Sequence, residues 1–192
     1  MIFSYLLGSI PTGYIVGALS GVDIRKAGSG NIGATNVARV VGKKRGLLTL
    51  IVDVGKGFIP VFVAGWLGLS HTAVALVAIL AFLGHLYPVF LKFQGGKGVA
   101  TALGALLALA PMATVILMVV FALVAVSSRL VSLSSIVAAL AAPITLWSLF
   151  YSPSVIATGV FFAVMITVRH RDNIRRLFAG TEPRFGSRTS SR

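Results

Sequence analysis

The chain of 192 residues contains no cysteine and only four acidic residues. The first absence removes disulfides, thiolate nucleophiles and cysteine-ligated metal, and with them any sequence reading of redox compartment. Charge of either sign is scarce. Charged residues make up 11%, where a soluble globular domain carries roughly 25%. The three histidines, His71, His85 and His170, lie far apart. With no H-E-x-x-H helix, no metal site and no cofactor is expected. There is no G-x-S-x-G nucleophile elbow, and no histidine is followed five positions on by the aspartate of the H-x4-D acyltransferase signature. No internal repeat is visible. The start of the chain lacks a basic leader and an A-x-A site, so residues 1–21 are expected to be a first membrane span and not a cleaved signal.

What is present is apolar sequence, 57% of all residues. It is gathered at about 1–21, 47–69, 71–91, 98–128, 130–151 and 153–168. These lengths predict an all-α polytopic membrane protein, a single integral membrane domain over 1–192. The fourth stretch, 31 residues long, exceeds one comfortable crossing. Proline breaks a helix by lacking an N–H and clashing with the preceding turn, which points to Ala110-Pro111 as a break. Charge decides between one span and two. With two, Arg25, Lys26, Arg39, Lys43, Lys44, Arg45, Lys92, Lys97, Arg129 and the seven arginines after Val168 all fall on one side. The loops near Ser70, Pro111 and Ser152-Pro153 then hold no base. The positive-inside rule therefore predicts seven transmembrane helices, with the N-terminus outside and the C-terminus cytoplasmic. The excess of 17 Lys and Arg over 4 Asp and Glu sits in short loops between apolar spans, so nucleic acid is not an expected partner.

Three polar segments meet at that basic face. "GSGNIGATN", residues 28–36, has glycines and donors suited to an anion. Residues 37–43 after it have the spacing of a short interfacial helix that Thr35 or Asn36 would cap. The same segment also reads as a flexible linker touching headgroups. "QGGKGVATALG", residues 94–104, places glycines around Lys97 just before a helix. That suits a phosphate cradle or a tight turn with a snorkelling lysine. "RHRDNIRRLFAGTEPRF", residues 169–185, carries His170, Asn173 and Glu182 among arginines, either as site residues or as a basic stop-transfer tail. Within the second apolar stretch Asp53 and Lys56 share a helix face at i, i+3 and are expected to pair in support of the site. His85 is expected to be a hydrogen-bonded interhelical residue. Donor-rich cationic loops beside lipid suggest head-group chemistry on a phosphorylated substrate. A transporter or binding protein for an anionic metabolite is the alternative, although transporters more often show repeated halves and polar groups at mid-membrane.

"SGNIGATN" with Arg39, then "GGKGVAT", then "RHRDNI" with Glu182, in that order over nearly the whole chain, resemble the bacterial acyl-phosphate-dependent glycerol-3-phosphate acyltransferases. "DVGKG" around Asp53 and Lys56 resembles the same family's second helix. Ile32 departs from a proline in many members, and the terminal "GSRTSSR" has no counterpart. The resemblance implies acyl transfer from acyl phosphate to the sn-1 hydroxyl of glycerol 3-phosphate, at the cytoplasmic face of the bacterial inner membrane. Neither acyl-CoA nor acyl carrier protein would be the direct donor. It implies catalytic parts for Ser29, Arg39, His170 and Asn173. Substrate contacts are implied for Gly30, Asn31, Thr35, Asn36, Gly95, Gly96, Lys97 and Gly98, and supporting parts for Asp53, Lys56 and Glu182. Either His170 or the departing phosphate would take the hydroxyl proton.

Overall fold

The computed structural model describes residues 1–185; the terminal segment from Gly186, with Arg188 and Arg192, lies outside the described residues. Ten α-helices and no strand occur among the described residues. They fall into two compact units, Met1–Pro111 and the chain from Met112 on.

The first unit holds α1 (Ile2–Gly8), α2 (Thr12–Ala18), α3 (Ala34–Val40), α4 (Lys43–Trp66), α5 (His71–Leu86) and α6 (Val99–Leu109). The first apolar stretch is thus not one helix, as expected, but two. The break falls at Ser9–Pro11, where Pro11 (φ −88°, ψ 70°) has no N–H to offer the previous turn. There the chain makes a γ-turn in which Thr12 N–H donates to the Ile10 carbonyl at 3.0 Å. α4 is the hub of this unit, packing on α1, α2, α3, α5 and α6. Its buried positions, Gly46, Thr49, Asp53, Lys56, Gly57, Pro60, Val61 and Ala64, recur every three or four residues and are mostly small or polar. Leu47, Leu48, Ile51, Phe62 and Trp66 point outward. Apolar outside with small and polar inside is the pattern of a helix whose solvent is lipid. Glycines let the helices touch backbone to backbone. A Cβ on Gly57 would strike the Thr101 carbonyl of α6, and one on Gly104 the Val54 carbonyl of α4.

The second unit holds α7 (Pro111–Ser128), α8 (Val131–Ser148), α9 (Pro153–Arg169) and α10 (Arg171–Phe178). The expected break in the fourth stretch is present, with Ala110 (φ −149°) between α6 and α7. α8 packs on α9, and α10 folds back onto both. The Phe185 N–H donates to the Arg129 carbonyl at 2.9 Å, bringing the end of the described chain to the α7–α8 turn.

Four helices, α4, α5 with its following turn, α7 and α8, have the length and composition to cross a bilayer. α9 and α10, bent by 61° to one another, make a fifth if taken as one broken span. The expected count of seven is therefore not met by full-length helices. The segments short of it are α1–α2, interrupted at Pro11, and α6, which ends just before Pro111.

Candidate active site

The first polar segment closes around one amide. Asn36 lies inside the first turn of α3, whose N-cap is Gly33 with no side-chain cap, so neither Thr35 nor Asn36 caps that helix. Asn36 is buried. Its Nδ2 donates to the carbonyls of Ile24 (3.2 Å), Ala27 (3.0 Å) and Asn31 (2.9 Å), and its Oδ1 accepts from the Ser29 N–H at 2.8 Å. Asn31 Oδ1 accepts from the Gly33 N–H at 2.7 Å, an Asx turn that starts the helix. Asn36 is thereby spent on holding the loop, and Ser29, Gly30, Thr35 and Arg39 are exposed along it. Gly30 has φ +70° with the Arg25 carbonyl close by, a conformation that side chains rarely adopt. Just before the loop, Arg25 pairs with Asp23 at 2.9 Å and lies 4.6 Å over the Tyr14 ring. The Arg25 hydrogen bond, foremost, holds the Asp23 carboxyl below its ordinary range.

The second segment is pressed against the end of α5. After Pro88 a turn at Val89–Leu91 is followed by two left-handed residues, Lys92 (φ 50°) and Phe93 (φ 62°). Leu91 packs on the cluster of Val16, Ile24, Ile32 and Val37, which ties this loop to the first. The chain then doubles back. Gly95 N–H donates to the Leu86 carbonyl and Gly96 N–H to the His85 carbonyl, both at 3.1 Å. Those two amides therefore satisfy the C-terminus of α5. The donors left to an anion are at the start of α6, where the first N–H groups have no intrahelical acceptor and Gly98 (φ +84°) is the N-cap. Half-buried Lys97 stands just before them.

Beneath this loop, Lys56 Nζ lies 2.9 Å from Asp53 Oδ1 and donates to the Ile10 carbonyl at 2.9 Å. The carboxylate contact is an ion pair without hydrogen-bond alignment; the directed bond is the one to Ile10. The expected pairing on one face of α4 is present, with both side chains at most 3% exposed.

In the second unit, His170 is buried at the α9–α10 bend, and its Nδ1 lies 2.8 Å from the Ile166 carbonyl. A carbonyl only accepts, so Nδ1 carries the proton, and Nε2 is the basic nitrogen of the neutral ring. Glu182 collects three donors: Ser132 Oγ (2.7 Å), Asn173 Nδ2 (2.6 Å) and Arg176 Nε (2.7 Å). It fastens α10 to the start of α8. Burial raises its pKa, but the hydrogen bonds from Ser132, Asn173 and Arg176, with the arginine charge, outweigh that and leave it lowered. Ser132 and Arg176 escaped sequence reading. Their only signal was a serine at the basic end of a span and one arginine among several. Among the described residues no three His, Asp or Glu side chains gather to hold a metal.

The lowered Glu182 pKa makes a pH prediction. Its contribution is present above the unfolded carboxylate value of 4.5 and is lost as pH falls through the lower folded value. Glu182→Gln should lower the unfolding free energy at neutral pH by about 1–2 kcal/mol once solvent screening is allowed for. The gap to wild type should close on acidification below that range. A gap that is constant with pH would show that the carboxylate charge is not what holds α10.

The family model for glycerol-3-phosphate acyltransferase matches residues 1–180. Among curated relatives, the glycerol-3-phosphate acyltransferase of Trichlorobacter lovleyi is 50% identical over 182 residues, 95% of this chain and 94% of that one. That of Geobacter sulfurreducens is 48% identical over 95% of this chain and 94% of its own. Two crystal structures of PlsY (YgiH), an integral membrane glycerol 3-phosphate acyltransferase, share this fold at 44% identity, covering 96% of this chain and 93% of theirs. The glycerol 3-phosphate form has a TM-score of 0.93 and the lysophosphatidic acid form 0.90. On a match that spans nearly all of its helices and every polar segment described above, the chain belongs to the glycerol-3-phosphate acyltransferase family of integral membrane enzymes.

Proposed function

We propose that the protein transfers an acyl group from acyl phosphate to the sn-1 hydroxyl of glycerol 3-phosphate. The products are 1-acylglycerol 3-phosphate and inorganic phosphate, and the step begins bacterial phospholipid synthesis. The observation that carries this reading is the Gly95–Gly98 turn, in which Lys97 stands beside the open N-terminus of α6. A lysine and oriented N–H groups suit a phosphate dianion. A glycerol 3-phosphate form and a lysophosphatidic acid form of the similar enzyme have been solved, which supports the same substrate and product here.

In the reaction the hydroxyl oxygen attacks the acyl carbonyl carbon. The bond from that carbon to the phosphate oxygen breaks, and phosphate leaves with the electron pair. The hydroxyl proton passes to His170 Nε2 or to the departing phosphate. The tautomer fixed by Ile166 leaves Nε2 able to accept. Lys97 and its loop hold glycerol 3-phosphate. Exposed Ser29 and Arg39, with Gly30, Asn31 and Thr35, serve the acyl-phosphate group and polarise its carbonyl. Asn36 shapes that loop from within, and Asn173 orients alongside His170. No cofactor takes part. Residues 1–192 act as one enzyme domain, in which α1–α2, α4, α5, α6, α7, α8 and α9 form seven crossings of the inner membrane, the short ones accommodated by tilt or thinning. The basic loops then face the cytoplasm.

Purified protein should release phosphate and form acylated glycerol 3-phosphate from the two substrates without any membrane gradient. Lys97→Ala should raise the KM for glycerol 3-phosphate by about ten- to a hundredfold, the worth of one charge-assisted hydrogen bond, with less effect on the acyl donor. Absence of turnover, with gradient-driven uptake of an anionic metabolite instead, would support the transporter reading.

For the topology, Ser152→Cys should be labelled by an impermeant thiol reagent in intact cells. Thr181→Cys should be labelled only after permeabilisation. The reverse pattern would overturn the orientation and the cytoplasmic site.

A further inference from the structure

His85 touches the substrate loop twice. Its carbonyl accepts the Gly96 N–H at 3.1 Å, and its imidazole Nε2 lies so close to Gly96 that a Cβ there would collide with it. The other ring nitrogen, Nδ1, is 3.8 Å from Asp53 Oδ1, the same oxygen that faces Lys56 Nζ. All three side chains are at least 96% buried. One imidazole therefore bridges the ion pair inside α4 and the turn that presents Lys97. It comes from α5, a third element. The bare Cα of Gly96 is the surface on which the ring rests. We propose that His85 is a positioning residue for glycerol 3-phosphate: backed by Asp53, its ring sets the height and tilt of the Gly95–Gly98 turn, and so the place of Lys97. This rests on the reading of that turn as the glycerol 3-phosphate site.

The geometry makes a requirement that general packing does not. The turn and the ring must be shaped for each other, so changes at 85 and 96 should be strongly non-additive, while changes at 97 act by loss of charge. Displacing a bound group by about 1 Å costs on the order of a hundredfold in reactivity, and residues in contact couple by factors of about two to over a hundred.

The test is a double-mutant cycle on the full-length protein in detergent, with thermal unfolding followed for each variant. His85→Ala and Gly96→Ala should each raise the KM for glycerol 3-phosphate by about tenfold or more, with the KM for acyl phosphate changed by less than about threefold. The double variant should be no worse than Gly96→Ala alone, because removing the ring makes room for the new methyl group. His85→Asn, which keeps a polar group of smaller size, should fall between wild type and His85→Ala, and serves if His85→Ala does not fold. Multiplying effects in the cycle, or a KM for glycerol 3-phosphate unchanged in a folded His85 variant, would overturn the proposal. If Lys97→Ala leaves that KM unchanged while His85→Ala raises it, the turn reading fails and not the coupling of His85 to Gly96.

Discussion

The first unit depends on an ammonium group held inside it. Lys56 sits on the face of α4 that every other helix of the unit uses, between the carboxylate of Asp53 and the carbonyl of Ile10. An unpaired charge in that setting costs several kcal/mol, so the helices that supply its partners are not free to drift. The partner from α4 is local and comes with the helix. The partner from Ile10 exists because Pro11 breaks the first apolar stretch and turns a carbonyl sideways. The break that shortens the first span thus also fixes the start of α2 against α4.

From that point the loops follow. α2 runs against the first loop, where a Cβ on Gly13 would strike the Ile32 carbonyl. Ile32 packs with Val16, Ile24 and Val37 beneath Leu91 of the second loop. α5 is locked to α1 where Gly84 meets the Tyr5 carbonyl and Ser9 amide, and where the Tyr5 hydroxyl donates to the Tyr87 carbonyl at 2.7 Å. The second loop then bonds to the last carbonyls of α5. Small residues and directed polar bonds carry this assembly because lipid offers no hydrophobic drive between helices. The second unit solves its own version of the problem with Glu182, one carboxylate answering three donors.

Much of this was legible in the sequence. The apolar stretches, the break at Ala110-Pro111 and the Asp53–Lys56 pair follow from hydropathy, proline chemistry and i, i+3 spacing. The short helix expected at 37–43 instead starts inside "GSGNIGATN", at Ala34, and ends at Val40, because the Asx turn of Asn31 opens it three residues early. The break at Ser9–Pro11 was equally written in a proline but was obscured by an apolar run of plausible span length. Asn36 as the centre of its loop was not legible, because four backbone groups from positions 24 to 31 converge on it only in three dimensions. By composition the glycines of "GGKG" suit either approach to an anion or a tight turn. Their packing on His85, Leu86 and Phe82 depends on α5 ending where it does, and spacing alone does not encode that. Ser132 is 50 residues from Glu182, a separation at which one sequence gives no pairing signal.

The most direct measurement is the unfolding free energy of Lys56→Met beside that of Asp53→Leu/Lys56→Met. The single change leaves a buried carboxylate without its cation and should cost about 3–5 kcal/mol. The double change removes both charges while Thr12 still serves the Ile10 carbonyl, and should recover most of that loss. A single variant as stable as wild type, or a double variant no better than the single, would contradict a first unit organised around the paired charge.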